Sequence, residues 1–231
     1  MITFIVPARS GSQRLPNKNI LPLNGRPLIF HTIDALLNHE LIDRVVFTSD
    51  SEDYCQLVEN EYGEKITTLL RPKETATNTT KVVEELRRII NKHPSLFSSK
   101  WFGLALPTAP LRNYNTVLRC LEYFKKVEKP IFSCNEYDFP IQFAFNFNAS
   151  HKNTNWNPIS KESPMITGNT RSQDIKKTYR PNGAIYINSI DNFLNVETLY
   201  KNAYAFEISA EESIDIDNEI DFKIAEFFLN E

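Results

Sequence analysis

The chain has 231 residues, 41% of them hydrophobic and 24% charged, and its formal net charge is -3 at pH 7. This composition is typical of a globular protein with a core of its own, and the slightly negative charge argues against a general nucleic-acid-binding protein. The apolar run at residues 2–6 is too short for a signal peptide or a membrane span, so we expect a cytoplasmic protein without membrane association.

Strands and helices are predicted to alternate along most of the chain. Short apolar runs bounded by turn residues predict strands at residues 2–6, 44–48, 66–70, 101–106, 130–134 and 204–208, and another between Gly183 and Asn188. Apolar residues three and four positions apart predict helices at residues 27–38, 52–62, 81–91 and 114–126, and a last one through residues 220–228. This alternation predicts an α/β protein with a doubly wound, mostly parallel sheet.

A loop of small and cationic residues, which we call the basic loop (residues 9–19), follows the first predicted strand. No Asp or Glu precedes Asp34, so four cations lack an acidic neighbour in the sequence: Arg9, Arg14, Lys18 and Arg26. Ligands of open α/β sheets bind beyond the carboxyl ends of the strands, where the backbone N–H groups of Ser10-Gly11-Ser12 could hold a phosphate. The loop alone fits a solvated turn equally well, but its position favours a nucleotide site. It matches neither the Walker motif nor Gly-x-Gly-x-x-Gly.

Polar residues follow other predicted strands at the same edge of the sheet. Asp50 follows the second strand, where capping of the next helix is a slightly better explanation than contact with a ligand. The hydroxyl-rich residues 76–80 can cap a helix or contact a ligand. A stiff loop with two prolines, residues 107–112, follows the fourth strand. Asn182-Gly183 is a turn signal that can also present a side chain or backbone to a ligand.

The alternation stops between residues 135 and 178. Aromatic residues alternate there with Asn, Ser and Lys, in a number that a solvated loop does not need. We therefore expect a hairpin or flap, inserted into a single domain of residues 1–231, that packs on the core or on a second copy of the chain. Disorder is the alternative interpretation.

The end of the chain is acidic where its start is basic. From Glu207 to Asp221, both included, the chain has seven acidic residues and no Lys or Arg; we call these residues the acidic segment. Within it, residues 213–218 are predicted to extend as a strand in which Asp215 and Asp217 share one face. Two such carboxylates suit Mg²⁺, whereas capping of the last helix by Asp217 or Asn218 is the alternative. If this segment meets the basic loop, the two together can hold a nucleoside triphosphate with its magnesium.

Several of these stretches resemble the cytidylyltransferases that activate sialic acid and related nonulosonic acids, the CMP-sialic acid synthetase family. The matching residues are 7–19, 70–72, 107–112, and 180–188 with 213–217, of which the first and last are the most specific. The resemblance implies a nucleotidyltransferase-like fold and a homodimer in which the insertion covers the partner's sugar site. It implies that the anomeric hydroxyl of an acidic nine-carbon sugar attacks the α-phosphate of CTP, giving CMP-sugar and pyrophosphate.

The resemblance also implies roles for individual residues. Catalysis would depend on Arg9, Lys18, Asp215 and Asp217, and the two aspartates would bind Mg²⁺. CTP would contact Arg9, Ser10, Gly11, Arg14, Lys18, Asn19, Arg71, Thr77 and Pro107. The sugar would contact Leu106, Arg171, Gln173, Asn182 and Gly183.

Three positions depart from the family pattern, and all three concern the sugar pocket. Leu106 stands where sialic acid synthetases usually carry Gln, Asn78 where Asp is common, and Ser172 where an Arg often binds the sugar carboxylate. Modified nonulosonates of the legionaminic or pseudaminic type are therefore candidate substrates. The alternatives are a Kdo-type cytidylyltransferase, whose Leu-Pro-Gly-Lys-Pro and Gln-Gly-Asp-Glu-Pro motifs are missing, and a non-catalytic nucleotide-binding protein of the same fold. A dinucleotide-dependent oxidoreductase is weaker still, because the glycine fingerprint is absent.

Overall fold

The secondary structure follows the predicted alternation closely in a computed structural model that describes residues 1–77, 79–147, 155–168, 171–196 and 198–230. The strands are β1 (Ile2–Pro7), β2 (Pro22–Leu23), β3 (Arg26–Pro27), β4 (Ile42–Ser49), β5 (Thr67–Leu70), β6 (Trp101–Leu104), β7 (Ile131–Glu136), β8 (Phe145–Phe147), β9 (Trp156–Pro158), β10 (Tyr179–Ser189) and β11 (Tyr204–Glu207). The helices are α1 (Leu28–Leu36), α2 (Glu52–Tyr62), α3 (Val82–Lys92), α4 (Tyr114–Val127), α5 (Pro164–Thr167), α6 (Ile190–Asn195) and α7 (Glu219–Leu229). None of these described helices has both the length and the apolar character that crossing a bilayer requires.

Seven of the described strands form the central sheet, in the order β11-β7-β10-β6-β1-β4-β5. Parallel pairs join β1 to β4 and to β6, β4 to β5, and β7 to β11, whereas β10 runs antiparallel to β6. Parallel neighbours need long crossovers, and helices supply them. The predicted doubly wound, mostly parallel α/β sheet is therefore confirmed.

Helices cover both faces of the sheet. Successive residues of β1 point to opposite faces and are buried in two different core clusters. Phe4 and Val6 are fully buried in a core cluster that includes residues of α1, α2 and α4. Ile5 is fully buried in a second cluster with residues of α3 and α6. Gly103 in β6 lies against Phe4, and a Cβ at this position would overlap the Phe4 ring. Strand β1 lies between β6 and β4, so the basic loop leaves an interior strand of the sheet.

Two helices differ from the predictions. Helix α1 begins at Leu28 rather than Pro27, because Pro27 pairs with Pro22 in the β2–β3 hairpin. The hairpin turns at Asn24 and Gly25, which both have the positive φ that a two-residue hairpin turn of this kind requires. Helix α6 is absent from the predictions, since its six residues are too few to show a helical period.

Contacts divide the chain into two compact units, residues 1–134 with 181–231, and residues 135–180. In the second unit the Tyr137 N–H donates to the Thr178 carbonyl at 3.0 Å, which joins its two ends. It contains the β8–β9 hairpin, where the Phe145 ring contacts the rings of Phe147 and Trp156 at centroid distances of 5.2 and 5.6 Å. These rings contact one another while remaining exposed on the chain.

Candidate active site

A cleft of about 490 Å³ opens at the carboxyl ends of β1, β5 and β6. Its walls are the basic loop, Arg71 after β5, the stretch before α3, the loop after β6, and Asp217. Of the residues predicted to contact CTP, seven line it: Arg9, Arg14, Lys18, Asn19, Arg71, Thr77 and Pro107. Leu106 and Asp217 line it as well. With Lys81, the cleft therefore combines five cationic side chains with one carboxylate, and Leu106 contributes apolar surface.

Hydrogen bonds hold the basic loop across this cleft. Asn19 Nδ2 donates to the Arg9 carbonyl at 2.9 Å, and an Arg9 guanidinium N–H reaches the Thr77 carbonyl at 3.2 Å. The Thr77 hydroxyl lies 2.7 Å from that of Thr80. The threonines do not cap α3, because the Glu84 carboxylate accepts the Lys81 N–H at its N-terminus. Thr77 and Thr80 thus line the cleft rather than capping the helix.

The basic loop and the acidic segment meet at Asp217. Arg14 pairs with its carboxylate at 2.8 Å and Lys18 at 3.3 Å, and Lys18 Nζ also donates to the Ile216 carbonyl. The Lys18 side chain is only 11% exposed whereas that of Arg14 is 69% exposed, so the Lys18 contact is the less screened of the two. Cations from one end of the chain therefore stand beside carboxylates from the other.

Residues 214–217 form no strand, so the strand predicted there is wrong. The Ile216 N–H donates to the Thr108 carbonyl at 2.7 Å, but the Asp217 and Asn218 N–H groups both donate to the Asp221 carboxylate instead of a neighbouring strand. Asn218 is the cap of α7, and its side chain accepts from Ile220 and Asp221. Capping therefore uses Asn218 and leaves the Asp217 carboxylate at the cleft.

Asp215 stands next to Asp217 without lining the cleft. Asp215 as a whole residue is exposed, but nearby protein atoms partly desolvate its carboxyl group, and this desolvation raises the pKa of Asp215. The negative charge of Asp217 raises that pKa further, whereas a hydrogen bond from Thr108 and the charge of Lys18 oppose the rise. Two carboxylates that repel each other suit a divalent cation. Mg²⁺ accepts one or two carboxylates and keeps its other ligands as water or phosphate. No cluster of three or more acidic, His or Cys side chains suited to a metal occurs within the described ranges.

Two parts of the predicted phosphate site are wrong. Arg26 points away from the cleft and pairs with Asp34 at 2.7 Å and Glu61 at 2.9 Å; the Asp34 hydrogen bond is the main cause of its raised pKa. The Ser10 N–H is not free for a phosphate, because it donates to the Asp50 carboxylate at 2.9 Å. The Ser12 N–H likewise donates to the Ser10 carbonyl at 3.0 Å. Both errors have the same cause, which is that hydrogen-bond acceptors elsewhere in the chain, or within the basic loop itself, already bind these donors.

Asp50 has a different position from the one predicted. The cap of α2 is Ser51, whose hydroxyl accepts from the Tyr54 N–H, so the prediction that Asp50 caps this helix is wrong.

Two other residues predicted to contact CTP differ in their exposure. Gly11 of the basic loop is exposed and has open space around it. Arg71 is buried beside Glu85, at 3.9 Å, and burial is the main cause of its lowered pKa.

The residues predicted to contact the sugar fall in three places. Leu106 lines the cleft and packs on Gly183, where an added Cβ would lie 3.2 Å from the leucine and where φ is +77°. Asn182 lies inside β10 rather than in a turn before it; it is buried and accepts from the Ser133 hydroxyl at 2.6 Å. Arg171 and Gln173 are exposed in the second unit. Asn78 lies outside the described residues, and the side chain of Ser172 is not described.

Comparison with known proteins identifies the family. Residues 3–225 match the family model described as cytidylyltransferase. An N-acylneuraminate cytidylyltransferase of Escherichia coli O18:K1:H7 is 30% identical over 97% of this chain and 51% of its own length. A pseudaminic acid cytidylyltransferase of Campylobacter jejuni (strain 81-176) is 30% identical over 96% of this chain and 93% of its own. The chain thus spans about half the length of the first of these relatives and nearly all of the second.

A solved structure has the same fold. CMP:2-keto-3-deoxy-manno-octonic acid synthetase complexed with CTP superimposes with a TM-score of 0.71 over 100% of this chain and 99% of its own, at 15% identity. Identity this low supports the fold alone, whereas the family model and the sequence relatives cover the chain at higher similarity. The chain therefore belongs to the cytidylyltransferase family, in the group that contains the N-acylneuraminate and pseudaminic acid cytidylyltransferases.

Proposed function

We propose that this protein transfers the cytidylyl group of CTP to a nonulosonic acid, an acidic nine-carbon sugar. The observation that carries the proposal is the cleft in which Arg14 and Lys18 of the basic loop meet Asp217. Such a cleft offers cations for a triphosphate and a carboxylate for the metal that accompanies it. The family relatives are named for this reaction with N-acylneuraminate and pseudaminic acid.

The reaction needs one bond to form and one to break at the α-phosphorus. The anomeric oxygen of the sugar bonds to the α-phosphorus of CTP, the bond to the bridging oxygen of the β-phosphate breaks, and pyrophosphate leaves while the hydroxyl proton passes to solvent. Arg9, Arg14 and Lys18 would spread their charge over the triphosphate, where arginine can form paired hydrogen bonds and lysine acts as a point charge. Arg14 and Lys18 already stand at the cleft, held by Asp217.

Asp215 and Asp217 would hold Mg²⁺ at the rim of the cleft. The raised pKa of Asp215 fits this role, because part of its cause is the neighbouring Asp217 charge, which a cation would offset. When bound, Mg²⁺ supplies charge stabilisation to the phosphate oxygens. Arg14 and Lys18 would then exchange Asp217 for phosphate.

Turnover with a panel of sugars tests the proposal. The protein is incubated with CTP, Mg²⁺ and, separately, N-acetylneuraminic, legionaminic, pseudaminic and Kdo-type acids, and pyrophosphate release is followed. Release with at least one nine-carbon acid and little with Kdo is expected. CTP binding without release from any sugar would instead support a non-catalytic nucleotide-binding protein.

Nucleotide choice gives a separate prediction. CTP with Mg²⁺ should protect the protein against thermal unfolding more than ATP, GTP or UTP at equal concentration, because only cytosine matches polar groups arranged for its amino group and carbonyl. Another base would leave buried polar groups of the site unpaired, which lowers its affinity. CTP at a concentration one hundred times its dissociation constant would raise the free energy of unfolding by about 2.7 kcal/mol. Equal melting temperatures with all four nucleotides would contradict a cytidine-specific site.

We further propose that the protein works in the cytoplasm as a homodimer. The second unit exposes Phe139 (59%) and Phe147 (63%), which a lone chain would leave in water. Sedimentation at micromolar concentration should give twice the chain mass of 26.7 kDa. Phe147→Ser should weaken the dimer by roughly tenfold or more, as loss of an aromatic interface anchor does. Ile220→Ser is the matched control, because Ile220 is 69% exposed on α7 of the first unit. A single species of one chain mass would contradict the dimer.

A further inference from the structure

Asp50 binds the basic loop through both of its carboxylate oxygens. Oδ1 accepts the Ser10 backbone N–H at 2.9 Å and Oδ2 accepts the Ser10 hydroxyl at 2.8 Å. Hydrogen bonds to an ionised carboxylate are roughly twice as strong as those between neutral groups. Asp50 follows the last residue of β4, so one end of this contact is fixed to the sheet. The other end is the second residue of the basic loop.

The contact with Asp50 is one of three that fix the start of this loop. The Ala8 N–H donates to the Thr48 carbonyl at 2.9 Å, which extends the β1–β4 pairing by one step. Ser10 is held by Asp50, and the Arg9 carbonyl between them accepts from Asn19 Nδ2 at 2.9 Å. Arg9 is thus held on both sides along the backbone. Its guanidinium reaches across the cleft to the Thr77 carbonyl in this arrangement.

The charge of Asp50 lies close to the cationic wall of the cleft. It acts on Arg71, which lines the cleft, by partly opposing the fall in the pKa of Arg71 that burial causes. A carboxylate near a triphosphate repels it, so its presence needs a compensating benefit. The benefit available here is order, since a loop fixed before the ligand arrives loses less conformational entropy on binding.

We propose that Asp50 is a positioning residue for the nucleotide: it clamps Ser10 and so fixes Arg9 for contact with the triphosphate. This inference rests on the proposed function for its consequence, but the clamp itself is a property of the protein without ligand. Asp50 acts through Ser10 and touches no substrate. The net effect of removing it is therefore weaker nucleotide binding, even though a negative charge is lost.

The first test measures the clamp without nucleotide. Amide hydrogen exchange at Ser10 should be slow in the unaltered protein, fast in Asp50→Ala and intermediate in Asp50→Asn, because Asn keeps one acceptor for the Ser10 N–H. Asp53→Asn is the matched control: it removes the same charge three residues away, from an exposed position in the first turn of α2. Equal exchange at Ser10 in the unaltered protein and in Asp50→Ala would overturn the clamp.

The second test measures its consequence with CTP and Mg²⁺. Asp50→Ala should raise the dissociation constant for CTP about tenfold, the size of one strong hydrogen bond, and Asp50→Asn should recover part of the loss. Ser10→Ala removes only the hydroxyl half of the clamp, so it should weaken binding less than Asp50→Ala does. It should have no further effect in Asp50→Ala, where the Ser10 hydroxyl has already lost its acceptor. Unchanged or tighter CTP binding by Asp50→Asn and Asp50→Ala would overturn the positioning role. Absence of CTP binding by the unaltered protein would contradict the proposed function, while Ser10 exchange would still decide the clamp.

Discussion

Replacing Asp217 with Asn is expected to lower kcat with CTP by about a hundredfold or more, because a lost metal ligand removes several kcal/mol of charge stabilisation in the transition state. Asp217 holds both Arg14 and Lys18 at the cleft and is also a proposed ligand of Mg²⁺. Asn keeps the shape of the side chain but not its charge. Asp215→Asn should have a loss of the same order, and both should show a raised Mg²⁺ concentration for half-maximal rate. Initial rates of pyrophosphate release over a magnesium titration measure both effects.

Stability separates this loss of chemistry from a loss of folding. The pKa of Asp215 is higher in the folded chain than in an unfolded one, so the folded state binds protons more tightly at this carboxyl group. The stability of the fold therefore falls as the pH rises from the unfolded pKa of Asp215 through its folded pKa. Asp215→Asn removes this cost and should unfold in urea at an equal or slightly higher concentration at pH 7. Glu219→Gln is the matched control in the same acidic segment, because Glu219 and its ion-pair partner Lys223 both have exposed side chains. Parent-like rates in both Asp215→Asn and Asp217→Asn would show that the carboxylates do not bind the metal.

The sheet could be predicted because its information is local. Helix α2 was predicted with its observed bounds, since Ser51 and Gly63 mark its ends and its apolar residues keep a helical period. Apolar runs likewise predict the positions of the seven strands of the central sheet to within a few residues. The antiparallel direction of β10 could not be predicted, because an apolar strand has the same pattern in either direction and the inserted residues before it do not fix its path.

The site was predictable only where charge and topology agree. Lys18 contacts Asp217, 199 residues away in the sequence. This contact is predictable because the stretch after the first strand has cations and no acidic residue, and an acidic segment precedes the last helix. Arg26 belongs to the same cationic stretch, yet it pairs with Asp34 on the neighbouring helix. Sequence gives the charges of these side chains but not the direction in which each leaves the backbone. The contact of Ser10 with Asp50 was missed for the same reason.

Arg112 is the clearest residue that sequence reasoning missed. Its side chain is fully buried, and no carboxylate among the described residues forms an ion pair with it. It donates to the Ala184 carbonyl at 2.6 Å, to the Leu106 carbonyl at 3.3 Å and to the Thr32 hydroxyl. Burial lowers the pKa of Arg112 to about 9, which still leaves it charged at neutral pH. One cation therefore joins β10, the loop that lines the cleft, and α1.

Arg112→Met is expected to lower the free energy of unfolding by about 3 kcal/mol, because two buried carbonyls and a hydroxyl lose their donor at about 1–3 kcal/mol each and relief of the buried charge offsets only part of this. Urea unfolding at pH 7 measures the change, which should lower the midpoint at an unchanged slope. Arg112→Lys should be nearly as harmful, since an ammonium lacks the planar fork that reaches all three acceptors.

Arg119→Met is the matched control for Arg112, because Arg119 lies on α4 with its side chain 48% exposed and pairs with Glu212. An exposed pair is worth about 0–1 kcal/mol, so this change should shift the midpoint little. Thr32→Val removes the acceptor of one Arg112 hydrogen bond, together with the long hydrogen bond of 3.5 Å that the Thr32 hydroxyl donates to the Leu106 carbonyl. This change should cost about 1 kcal/mol. If Arg112→Met unfolded at the same urea concentration as Arg119→Met, the buried guanidinium would not be what joins the three elements.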